Sequence, residues 1–257
     1  MRPLALAVTA VTAVAVSPNF AHATDPGERL RAAYPEFVAG VEGNDLVLKG
    51  GRRLVISDGR TKSAAERLDR PDLADMFVDT YPSGPVTAPA RDVDPGRHRP
   101  AAFFDALYGD CRKGEVEPHL VAVAWVPKHG GGTVMFSARA GAAAALAAVS
   151  RELDAGPAEW RKYLVPAAGT YNCRVIAGTD RISAHGRGIA IDIATGASDY
   201  WYWSDPKGAN VTFRNRIPAE IGAVFERHGF VWGARWYHHD TMHFEYRPEI
   251  LGIDRRK

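Results

Sequence analysis

The run Ser183-Ala184-His185-Gly186-Arg187-Gly188-Ile189-Ala190-Ile191-Asp192 changes character at Gly188. Before it come a histidine and two glycines, the composition of a turn. After it, Ile189, Ile191 and Ile193 alternate with Ala190 and Asp192, the period of two that defines a strand. The isoleucines share the core face and Asp192 is aimed the other way, beside an alanine small enough to leave room above the sheet. Alone, a histidine and an aspartate seven apart say little.

A second stretch supplies the complement. In Trp236-Tyr237-His238-His239-Asp240-Thr241-Met242-His243-Phe244-Glu245-Tyr246, the residues Met242, Phe244 and Tyr246 alternate with Thr241, His243 and Glu245. The spacing predicts a second strand with His243 on its non-core face. Two imidazoles and one carboxylate form a donor set suited to zinc, with one coordination position left for water. His185, Asp192 and His243 could supply such a set. Asp240 is out of step with the strand and belongs to the turn leading into it, where a general base acting on water should stand. Glu245 is a rival for that role, and His238 and His239 are read either as cleft residues or as ordinary surface.

Outward from these motifs, Pro100–Tyr108, Ala140–Leu153 and Pro218–Arg227 read as helices. Leu120–Val126 and Thr133–Ser137 read as a hairpin turned by Gly130-Gly131-Gly132. Strands and helices mix without βαβ alternation, which predicts an α+β fold with a central antiparallel sheet flanked by helices. Residues 24–98 read as loop-rich, with a small hairpin over Asp45–Leu48 and Arg53–Ser57, and residues 99–257 as the main domain. Tyr200-Trp201-Tyr202-Trp203, Trp232 and Trp236 are read first as packing residues.

The first 23 residues have the form of a signal peptide: Arg2, an apolar run from Leu4 to Val16, then Ala21-His22-Ala23. The run is shorter than the ~20 residues a membrane span needs. The expectation is export to the periplasm, the cell wall or the medium, with no membrane span after cleavage. Removing residues 1–23 takes away one arginine and no acid, so 32 basic against 30 acidic residues become 31 against 30. A nearly neutral chain lacks the basic stripe of a nucleic-acid binder. In an oxidising compartment Cys111 and Cys173 could close one disulfide; the alternative is two unrelated buried thiols.

The two motifs resemble those of the zinc D-alanyl-D-alanine metallopeptidases, a family of D,D-carboxypeptidases, D-Ala-D-Ala dipeptidases and L-alanyl-D-glutamate endopeptidases. Its pattern S-x-H-x-x-G-x-A-x-D is met by Ser183, His185, Gly188, Ala190 and Asp192, and its acid-x-x-histidine pattern by Asp240 and His243. The resemblance runs from about residue 100 to 252 and includes Gly169-Thr170-Tyr171-Asn172-Cys173-Arg174; residues 24–97 lie outside it. It implies a hedgehog-like zinc peptidase fold, one zinc per chain on His185, Asp192 and His243, and Asp240 activating water. It also implies a peptidoglycan peptide substrate met by a basic residue, for which Arg174 is the choice and Arg181 and Arg187 the rivals. Ser183 and His238 join Arg174 as expected substrate contacts. The chain is expected to act as a monomer. The reading from another class is a non-catalytic zinc module that recognises cell-wall peptide or a protein partner.

Overall fold

The structure, a computed structural model, describes residues 25–206 and 210–256. The signal-peptide reading of residues 1–23 and the last residue, Lys257, lie outside them. Three small antiparallel sheets take the place of one central sheet. The first is a meander of β1 (Val38–Glu42), β2 (Asp45–Leu48) and β3 (Arg53–Val55). The expected hairpin is its β2–β3 half; β1 was not anticipated, because Val38-Ala39-Gly40-Val41-Glu42 lacks clean alternation. The second sheet pairs β4 (Leu120–Ala124) with β5 (Thr133–Ser137), as the glycine-turned hairpin predicts. The third has the order β6–β8–β7, with β6 (Ala190–Asp192), β7 (Phe230–Trp232) and β8 (His243–Tyr246).

The helices, in chain order, are α1 (Pro26–Ala33), α2 (Ala64–Asp69), α3 (Ala101–Tyr108) and α4 (Ala142–Asp154). They continue with α5 (Arg161–Leu164), α6 (Trp201–Ser204) and α7 (Ala219–Arg227). The fold is thus α+β. No helix among the described residues is long and apolar enough to cross a membrane.

The third sheet is covered on both faces, which is why nearly all of it is buried. On one side α7 sets Phe225 against Phe244 of β8, rings stacked at 3.7 Å, with Trp232 stacked on Phe244 at 5.5 Å. An aromatic layer of this kind contributes several kcal/mol, since removing one such ring typically costs about 3–5 kcal/mol. On the other side run residues 94–99. A Cβ on Gly96 would sit 3.4 Å from Val231 of β7, so the backbone there lies close over the sheet.

The N-terminal residues are tied to the rest by buried polar links as well as by a shared core. Tyr34 donates to Glu249 at 2.6 Å, and Glu249 accepts from Arg247 at 2.5 Å. Arg255 donates to the Ala33 carbonyl at 3.1 Å and pairs with Glu36 at 2.6 Å. Its guanidinium closes the C-terminus onto the end of α1.

Candidate metal centre

His185 lies in a single tight turn over residues 184–187, and the local sequence dictates that turn. Ser183 precedes it and its hydroxyl accepts from the His185 N–H at 3.3 Å, a capping arrangement. Gly188 ends it at φ +66°, where L side chains are strained, and a Cβ there would also strike Leu120 at 2.7 Å. The histidine is thereby delivered to the mouth of β6, whose last residue is Asp192.

Asp192 faces His243 directly, because β6 and β8 are antiparallel neighbours with these two residues in register. Two side chains fifty-one positions apart are placed side by side by strand pairing alone, and the turn brings in the third. His185 Nε2 lies 3.2 Å from His243 Nδ1 and 3.2 Å from Asp192, and His243 Nδ1 lies 3.0 Å from Asp192. These three ligand atoms fall within 4.8 Å of one another. Ligand bonds of about 2.0–2.1 Å around a tetrahedral zinc place ligand atoms roughly 3.3 Å apart, so the donor set fits that ion with little adjustment.

The electrostatics agree with the donor chemistry. Burial opposes charge on His243, yet Asp192 and Glu245 outweigh it and push the imidazole up to about 9. Burial likewise pushes Asp192 upward, but hydrogen bonds from His185 and His243 hold its carboxyl well below the ordinary range. Lone pairs this close repel unless positive charge sits among them, and the cluster is built to hold such charge.

Each imidazole is oriented from behind. His185 Nδ1 is 2.6 Å from the Thr170 carbonyl, so the tautomer that donates there leaves Nε2 free for an ion. His243 presents Nδ1 to the centre and turns Nε2 towards Glu245, 3.7 Å away. Glu245 is fully buried and gripped by Arg99 through two nitrogens, one contact at 2.7 Å. Glu245 therefore stands behind a ligand, which removes it as a rival base.

Asp240 lies on the rim of the same cleft. Its backbone bonds to Gly233 at 3.1 Å and accepts from His243 at 3.1 Å. A Cβ on Gly233 would come within 2.2 Å of the Asp240 carbonyl oxygen, so that approach requires glycine. Oδ1 of Asp240 is buried and has no hydrogen-bond partner among the described residues. Burial pushes its carboxyl up to about 6, His243 pulls the other way, and Asp192 adds to the rise. A carboxyl poised near neutrality, with an oxygen free, can take and return a proton.

The other expected contacts are placed as follows. Arg174 is exposed and lines the cleft; its rivals border the neighbouring cavity instead. Arg187 is buried on Asp105 at 2.6 Å, and Arg181 donates to the Leu68 carbonyl at 3.2 Å. Ser183 borders the cleft with its hydroxyl engaged in the turn. His238 borders it too, holding Asp94 at 2.8 Å. Cys111 and Cys173 are joined in a disulfide, Cα atoms 5.6 Å apart. Trp201, Tyr200 and Trp236 line the cleft, whereas Trp232 is core and Tyr202 and Trp203 are exposed. The packing reading therefore holds for Trp232 and for Trp236, which is buried in the core while also bordering the cleft. Arg97 and Arg99 are the residues the sequence did not announce. They come from a proline-rich connection with no periodicity, and only the fold brings them to the metal cleft.

His185, Asp192 and His243 could thus hold a metal ion, and Asp240, with its buried Oδ1 unpartnered among the described residues, lines the same cleft. Residues 177–246 match the family model described as D-alanyl-D-alanine carboxypeptidase, a stretch that holds both motifs and so supports the zinc D-alanyl-D-alanine metallopeptidase family for this chain. No curated protein and no solved structure matches the chain.

Proposed function

We propose that this protein is an exported zinc metallopeptidase that hydrolyses a peptide bond in the peptide of bacterial peptidoglycan, as a D,D-carboxypeptidase or an L-Ala–D-Glu endopeptidase. The observation that carries the reading is the convergence of His185, Asp192 and His243 beside the unpartnered Oδ1 of Asp240. Export accords with the form of residues 1–23 and with a disulfide in the described chain.

His185, Asp192 and His243 would hold the ion, which when bound supplies Lewis acidity, polarising a carbonyl and making water a usable nucleophile near neutral pH. Asp240 accepts the proton of the attacking water and returns it to the leaving amine; a well-placed general base contributes about 10²–10⁴-fold. Arg174, which lines the same cleft, offsets negative charge growing on the carbonyl oxygen, typically worth about 2.7–4 kcal/mol for one donor. Thr170 and Glu245 keep the two imidazoles turned inward throughout.

A non-catalytic zinc module on the same scaffold would use the three ligands but has no need of Asp240. A buried carboxylate oxygen left without a partner is costly, and the catalytic reading gives Oδ1 of Asp240 a task. The test is digestion of purified muropeptides by the zinc-loaded protein, with products identified by mass. Cleavage at one bond type supports the enzyme; intact muropeptides with zinc demonstrably bound would leave the binding module.

A further inference from the structure

Next to the metal cleft, and sharing Arg97, Arg99 and Ile176 with it, lies a second cavity of about 320 Å³. Six arginines border it: Arg70, Arg97, Arg99, Arg112, Arg181 and Arg187. Only two carboxylates, Asp69 and Asp180, share that wall. Five of the arginines do have acidic partners: Asp94 for Arg97, Glu245 for Arg99, Asp110 for Arg112, Asp105 for Arg187 and, at 3.5 Å, Asp69 for Arg181. Of those five carboxylates only Asp69 lines the cavity. Most of the partner carboxylates thus lie outside the lining, where six arginines meet two acids.

Several of those groups retain unused donors. Arg97 and Arg187 spend Nη1 on their partners, and Arg181 spends Nη1 on a carbonyl. Their Nη2 groups make no hydrogen bond among the described residues. Nε of Arg181 is buried without one, its nearest acid being Asp69 at 3.5 Å. Burial holds the Arg181 guanidinium below its ordinary range, and the neighbouring charge of Arg99 and Arg97 adds to the effect. Like charges assembled around a hollow with free N–H groups are relieved by an anion that enters it, and planar guanidinium matches a carboxylate in a two-point fork.

We propose that this cavity is a subsite for a carboxylate of the substrate that lies away from the bond being cut. The inference rests on the peptidase reading above and narrows it to acidic peptides. Two acids in the wall suit a single negative charge rather than a doubly charged phosphate. Arg97 and Arg99 reach the cavity from residues 94–99, outside the stretch that matches the family model, so this part of the chain would set which peptide is accepted.

The probe is a pentapeptide with L-Ala–D-Glu at one end and D-Ala–D-Ala at the other, prepared as the free acid and with each carboxylate amidated in turn. Binding is measured by calorimetry on the zinc-loaded full chain carrying Asp240→Ala, so that turnover does not interfere. One amidation should weaken binding tenfold or more. Adding Arg181→Gln should weaken the free acid by a similar factor and leave that amide unchanged. Arg70→Gln, on an exposed side chain at the cavity rim, should act in the same direction with about a threefold loss. Arg151→Gln, exposed on α4 outside both cavities, should change nothing. With wild-type protein the same amidation should raise KM at constant kcat. Equal binding of acid and amides, or equal weakening of both by Arg181→Gln, overturns the subsite while leaving the peptidase reading intact. Failure of every peptide to bind overturns both.

Discussion

Arg99 holds Glu245 in a two-pronged grip, with Nε 2.7 Å from one carboxylate oxygen and Nη2 against the other. Glu245 stands behind His243, so an arginine at the entrance to α3 steadies a metal ligand on β8. Replacing Arg99 with methionine leaves Glu245 buried with Arg247 as its remaining cation. The expected cost is about 3 kcal/mol in urea unfolding, the lower end for breaking a buried pair. Zinc affinity should fall by about 10–100-fold, as for other residues that orient a ligand, and a chelator competition assay reads it. Unchanged affinity with reduced stability would make Arg99 purely structural.

Acid should loosen the link between residues 94–99 and the cleft at a definite point. Burial pushes Asp94 upward, but Arg97 and His238 outweigh it and hold the carboxyl at about 2, against an ordinary 3.8. A depressed carboxylate binds fewer protons folded than unfolded, so its contribution is complete above pH ~4 and is lost as pH falls through 2. The amount is about 2 kcal/mol at 1.36 kcal/mol per unit. Asp94→Asn should remove that stability at pH 7 and flatten the acid limb of the stability curve between pH 4 and 2. An unaltered limb would show that other groups carry it.

Reduction should weaken the protein through the unfolded state. The Cys111–Cys173 bond spans 62 positions, for which loop entropy gives about 4 kcal/mol. Its neighbours Arg112 and Arg174 stand on the walls of the two cavities, and Cys111 Sγ would lie 3.3 Å from a Cβ placed on Gly186 in the ligand turn. The double variant Cys111→Ser with Cys173→Ser should melt several degrees lower in non-reducing buffer and match the reduced wild type. Equal melting of oxidised and reduced wild type would contradict the bond.

Much of the centre is written in local pattern. Period-two alternation around Ile189–Ile193 and Met242–Tyr246 predicts two strands, and parity then assigns Asp192 and His243 to one face. Register follows from antiparallel pairing, and His185 from a glycine-bounded turn. What pattern could not convey is depth. Glu245 and Thr241 share the supposed open face yet are fully buried, Glu245 under Arg99 and Thr241 against Asp199. The placement of Arg99 is a tertiary event in a connection rich in proline and polar residues, and nothing in that connection's own sequence marks Arg97 or Arg99. The single central sheet failed for a related reason. Strands of three to five residues can each satisfy a small local partner set, and nothing in their patterns requires them to join one sheet.

Metal capture by three residues and proton transfer by a fourth are distinct tasks, and zinc content separates the two. Elemental analysis of wild type, His243→Ala and Asp240→Ala should find one zinc per chain in the first and third and a large loss in the second, with muropeptide cleavage in wild type alone. No stoichiometric metal in wild type, or equal loss of zinc in both variants, would contradict it.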